Sequence, residues 1–177
     1  DLNFMAVNFE ISIERSNTIT DNGFDNVNFM ISTNPGEPVR PLNKVASGGE
    51  LSRIMLAIKS ILASEDEIDT LIFDEIDTGI SGKTATMVAE KMANISRHHQ
   101  VICISHLSQI AAMADNHYLI EKKLENNSTI TNIKKLSGDE SIEELVRING
   151  DGTVSEAAIS HAKEMKEMAE RAKLGQF

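Results

Sequence analysis

An α/β fold is predicted, with a mostly parallel sheet flanked by helices and a β-hairpin at the N-terminal end. Two observations in this 177-residue sequence carry the prediction. Two runs of alternating apolar residues flank an Asp-Asn-Gly turn, which is the pattern of a hairpin. Beyond residue 47, short apolar runs alternate with stretches whose apolar residues recur at helical spacing, and that order places helices on a parallel or mixed sheet.

The elements follow in order. Phe9, Ile11 and Ile13 alternate with polar residues as in a half-buried strand, and Val27, Phe29 and Ile31 repeat the pattern across Asp21-Asn22-Gly23. Pro35-Gly36-Glu37-Pro38 and Pro41 then break regular structure. Leu51, Ile54, Met55, Ile58, Ile61 and Leu62 form the apolar stripe of an amphipathic helix running from Ser47 to about Ser64. Residues 71–73 read as a strand, 84–95 as a helix, 101–104 as a strand and 107–114 as a short helix. Strands near 118–120 and 129–133 are joined by an Asn126-Asn127 turn, and residues 141–148 and 155–173 look helical. On the last helix Ala158, Ala162, Met165, Ala169 and Ala172 make a small-residue stripe, read as a docking face rather than a coiled-coil seam. We divide this single lobe into a hairpin region (1–45), a central core (46–136) and C-terminal helices (137–177).

Composition narrows the function classes. An apolar content of 41% and a charged fraction of 25% are ordinary for a globular protein. Seventeen Lys and Arg against 27 Asp and Glu leave a net charge of −10, against non-specific nucleic-acid binding by bulk charge. Cys103 is the only cysteine and lies in an apolar run, so it reads as a small buried hydrophobe in an intracellular protein. No apolar run approaches the roughly 20 residues of a membrane span. The first residue is Asp1, and the sequence reads as a fragment. His98, His99, His117 and His161 lack companions at metal-ligand spacing and read as surface or capping residues.

The stretch TLIFDEIDTGISGKT (70–84) first resembles a phosphate-binding P-loop: strand, glycine loop, then Gly-Lys-Thr before a helix. The pattern G-x-x-x-x-G-K-[ST] ending at Thr84 requires glycine at position 77, which is Asp77. Gly79 comes too late for the loop to wrap a phosphate, and Asp74, Glu75 and Asp77 would repel one. A Walker B strand fits better. Its Asp74, at the carboxyl end, suits Mg²⁺ bound through water, and Glu75 suits orienting or deprotonating the attacking water. The bland alternative is an acidic loop after a buried strand.

Upstream, Ser47-Gly48-Gly49-Glu50 opens a helix whose first N–H groups suit an anion; taken alone it is equally a glycine turn with a serine cap. Downstream, the strand 101–104 runs into Ser105-His106, and a histidine at that sheet edge can bond a phosphate oxygen or a water. Taken alone it is an ordinary surface histidine.

Together, in this order, these segments resemble the C-terminal half of an ABC-type ATPase head. The wording PGEPVRPLNKVASGGELSRIMLAIK, LIFDEIDTGISGKTA and ISHLSQIAAMAD is similar to the SMC-like branch that acts in DNA double-strand-break repair and recombination. The resemblance implies the C-terminal lobe of a P-loop NTPase head, with ATP and Mg²⁺ as cofactors of the complete protein. It implies Asp74 on the metal, Glu75 and His106 as catalytic groups, and Ser47, Gly48, Gly49 and Glu50 as a signature loop contacting the γ-phosphate of another subunit's ATP. Asp77, in a D-loop, would serve the dimer interface. The implied partners are an N-terminal P-loop lobe of the same protein, a second head in an ATP-bridged homodimer, and DNA, with no membrane. The implied home is the bacterial cytoplasm, at the nucleoid. Lacking a P-loop, this stretch alone is expected to be inactive. Two rivals stay open: a transporter-type nucleotide-binding domain, and an ATP-dependent clamp with little hydrolysis.

Overall fold

The computed structural model describes all residues except 1, 3, 5, 45, 46, 64, 66, 126, 127, 151–153, 176 and 177. Ala46, the helix end expected at Ser64 and the Asn126-Asn127 turn therefore lie outside the described residues. Strands β1 (Asn8–Thr20) and β2 (Gly23–Ser32) form the expected antiparallel hairpin, with Ile11 opposite Phe29 and Ile13 opposite Val27. A two-residue strand β3 (Arg40–Pro41) adds to β2 where a break was expected. Its proline is tolerated because the strand lies at a sheet edge.

Helix α1 (Gly48–Leu62) leads to β4 (Thr70–Phe73), then α2 (Gly82–Ile95), β5 (Gln100–Cys103) and the short α3 (Ser108–Met113). Strands β4 and β5 pair in parallel across the α2 crossover, Thr70 with Gln100 through Phe73 with Cys103. The chain continues through β6 (Tyr118–Glu125), β7 (Ser128–Lys135), α4 (Gly138–Asn149) and α5 (Glu156–Lys173). Among the described residues parallel pairing is confined to β4 and β5, and the other two sheets are antiparallel. Only two residues separate β6 from β7, a connection that permits nothing but a hairpin.

The main core lies between α1, the parallel strands and α2, around Leu56, Phe73, Ile76, Val88 and Ile95. A second cluster holds α3, α4 and α5 together through Ala112, Leu145, Val146 and Ala162, with Ala158 and Met165 packed beside it. The small-residue stripe of α5 is thus a docking face. Helix α4 begins with a reciprocal Ser137–Glu140 capping box, and Glu140 also pairs with Lys134 of β7.

Two burial expectations are corrected. Phe9, Ile11, Ile13, Val27 and Phe29 are exposed, not half-buried; of that apolar face only Ile31 is covered. On α1 the buried residues are Gly49, Arg53, Ile54 and Leu56, while Leu51, Met55, Ile61 and Leu62 of the predicted stripe are exposed. The helix is rotated because Gly49 has to meet the loop after β4, which turns Arg53, four residues on, inward. His99 also departs from a surface reading. It is buried, with its ring nitrogens 2.7 and 3.1 Å from the carbonyl oxygens of Ile68 and Ala63. It satisfies a carbonyl that the end of α1 leaves unpaired.

Candidate functional site

The site grows out of the loop that follows β4, residues 74–81, and of the two segments touching it. Ser47 caps α1: its Oγ accepts from the Glu50 N–H (3.2 Å) and donates to the Glu50 carboxylate (3.0 Å). Ser47 and Glu50 are therefore engaged with each other at the helix start. Gly48 faces the Glu75 carboxylate, whose Oε2 lies where a side chain on Gly48 would begin. A negative charge there is favoured by the partial positive charge of the helix N-terminus. A Cβ on Gly49 would come within 2.9 Å of the Glu75 carbonyl oxygen and of two atoms of Thr78.

Helix α1 grips the same loop through side chains. Ser52 Oγ donates to the Asp74 carbonyl at 2.8 Å. Arg53 Nη1 donates to the carbonyls of Thr78 (2.8 Å) and Ile76 (3.4 Å). The guanidinium is buried and lies 5.6 Å from the centre of the Phe4 ring. Its Nε has no partner among the described residues. Burial lowers its pKa from the ordinary value, with Glu50 opposing; arginine nonetheless stays charged.

Within the loop, Asp74 and Glu75 are exposed while Ile76 and Asp77 are buried. Asp74 Oδ1 accepts from the Glu75 N–H at 2.9 Å, which leaves Oδ2 available. Glu75 adopts φ +57°, a left-handed backbone that non-glycine residues rarely take. Asp77 is turned inward, with 3% of its side chain exposed. Its Oδ2 accepts from Ser105 Oγ (2.6 Å) and the His106 N–H (2.8 Å), and lies 3.0 Å from His106 Nδ1. The loops leaving β4 and β5 are thereby joined. The sequence does not single out Ser52, Arg53 or Ser105; for Arg53 the signal is its place four residues from Gly49, on one helical face.

The donor set fits a weakly ligated Mg²⁺: one exposed carboxylate with a free oxygen, in a loop without a closed cage. No cluster of three metal-ligating residues exists among the described residues, and Mg²⁺ commonly takes one or two carboxylates and keeps several waters. For an anion, α1 offers its first turn, but no phosphate-wrapping loop precedes α2, whose Ser81 makes no side-chain cap. Lys83 and Thr84 simply open that helix.

Cys103 behaves as the sequence suggests. It is half-buried against the main core. Burial, then Asp77 and Asp74, raises its thiol pKa to about 12. At pH 8 its thiolate fraction falls on the order of 10³-fold below that of a free cysteine. Native alkylation by iodoacetamide should be slower than in urea by a similar factor, and equal rates would contradict the assignment.

No family model matches the chain. It is 49% identical over 155 residues to the DNA repair protein RecN of Bacillus subtilis, covering 88% of this chain and 27% of that protein. It is 47% identical over 163 residues to the RecN of Halalkalibacterium halodurans, covering 92% and 29%. The chain thus spans less than a third of the length of these relatives. Among solved structures it resembles an Smc head domain with a coiled coil and joint from Pyrococcus yayanosii. The TM-score is 0.57 at 19% identity, over 84% of this chain and 27% of that one. A likeness at that identity speaks for the fold alone.

Proposed function

The chain belongs to the RecN family of DNA repair proteins, and from that premise we propose that it is the C-terminal lobe of an ATP-hydrolysing, SMC-like head. One observation carries the reading. Two separate segments, Ser47–Glu50 and Ser105–His106, meet the loop that carries Asp74, Glu75 and Asp77 at the carboxyl ends of the two parallel strands. Open α/β sheets bind ligands at that edge.

In this reading Asp74 holds Mg²⁺ through water, and the bound ion would neutralise charge developing on the phosphates. Glu75 orients the attacking water and takes its proton. His106 presents its ring to the γ-phosphate. Ser47, Gly48, Gly49 and Glu50 offer the first turn of α1 to the ATP of a second head. The whole 1–177 stretch acts as one lobe, completed by a P-loop lobe of the same protein, in a bacterial protein working on DNA at the nucleoid. Unpartnered apolar surface supports the need for a partner lobe. Besides the exposed hairpin face, Ile72, Ile102 and Ile104 are exposed along the parallel pair, and apolar surface so exposed on strands calls for cover. The relatives, DNA repair proteins, disfavour a transporter-type role.

Purified alone, the chain should neither bind ATP tightly nor hydrolyse it. Co-expressed with the remaining, P-loop-bearing part of the protein, it should do both. Turnover by the isolated chain would sink the proposal, as would an inactive but well-folded complex.

A further inference from the structure

Asp77 is the most buried carboxylate of the site, with 3% of its side chain exposed, yet it contacts a histidine ring that is 75% exposed. A buried carboxylate is retained only where donors satisfy it. Here one oxygen accepts from Ser105 Oγ and the His106 N–H, and the same oxygen stands 3.0 Å from His106 Nδ1. Ser105 is held in turn, its Oγ accepting from the Leu107 N–H at 3.0 Å. An ionised carboxylate only accepts, so the ring nitrogen facing it carries the proton. That fixes the Nδ1–H form and leaves Nε2 as the solvent-facing nitrogen of the ring. The same carboxylate stands three residues from Asp74, so the metal-side loop and the histidine cannot move independently.

We propose that Asp77 is a positioning residue which locks His106 in its Nδ1–H tautomer and aims Nε2 at the reacting phosphate, with Ser105 as its brace. The role differs from a contact between heads: Asp77 acts within its own chain. Its catalytic half rests on the ATPase reading above, whereas its structural half does not.

Two measurements test it. Long-range ¹H–¹⁵N spectra of the neutral His106 ring in the unaltered chain should show Nδ1 protonated. The D77N amide can turn its NH₂ toward Nδ1 and should favour the opposite form. In the complete protein, D77N should lower kcat by about tenfold or more with KM for ATP changed by less than about threefold, and H106A should do the same. The double variant should lose no more than H106A alone. An Nε2–H ring in the unaltered chain overturns the proposal while leaving the ATPase reading intact. A D77N loss that adds fully to that of H106A also overturns it. Full turnover in H106A overturns its catalytic half together with that reading of the site. The first spectrum needs no variant, so it decides the tautomer even if the D77N protein fails to fold.

Discussion

Glu75→Gln in the complete protein is expected to reduce ATP turnover by about 10²- to 10⁴-fold, the usual contribution of a positioned general base. The amide keeps the size of the side chain and can still bond a water, but it cannot take the proton. ATP affinity should stay within a few-fold of the original, because the binding groups proposed here (Asp74, Ser47 and the first turn of α1) are untouched. Binding without release should trap two heads together, visible as an ATP-dependent dimer by size-exclusion chromatography. Two readouts therefore separate loss of chemistry from loss of folding. If turnover stayed normal, Glu75 would not be the base.

The second large effect concerns two adjacent glycines that the sequence does not distinguish. A methyl group at Gly49 would sit 2.9 Å from the Glu75 carbonyl oxygen and from Thr78, so backbone has to shift. Overpacking of that kind costs about 1–3 kcal/mol. Gly49→Ala should lower the urea midpoint of this chain accordingly, and Gly49→Val should do so further. At Gly48 the obstacle is the far end of the Glu75 side chain, which can swing aside. Gly48→Ala should therefore leave the midpoint nearly unchanged and alter the Glu75 position instead. Equal destabilisation by the two alanines would show that α1 does not seat on the loop through Gly49.

Much of the fold is legible in the sequence. Periodicity reveals the helices to within a few residues, because an amphipathic face has to repeat to be buried, and Asp-Asn-Gly announces the hairpin turn. The segments proposed for the site stand out in the sequence because each is a short local run. Orientation and reach are not. The stripe on α1 reads as apolar, yet the helix seats on Gly49 and Arg53, a contact set by a loop more than twenty residues downstream. Strand β3 is too short to carry a period, and its proline reads as a breaker. The inward turn of Asp77 toward a histidine 29 residues away leaves no local trace. The exposed hairpin face misleads for a related reason: alternation reports that a face is apolar, and what covers it is a separate matter.

The left-handed backbone at Glu75 bears on how this loop could be redesigned. An L-residue other than glycine bears roughly 1–2 kcal/mol of strain in that conformation. A sequence tuned for stability alone would place Gly there, or Asn, which visits the region more readily. Thermostability screens that reward melting temperature should therefore drift toward those residues at position 75, and each gain would come at the expense of the carboxylate. With Glu75 as the proposed base, selection for stability and selection for turnover would pull in opposite directions at this one residue.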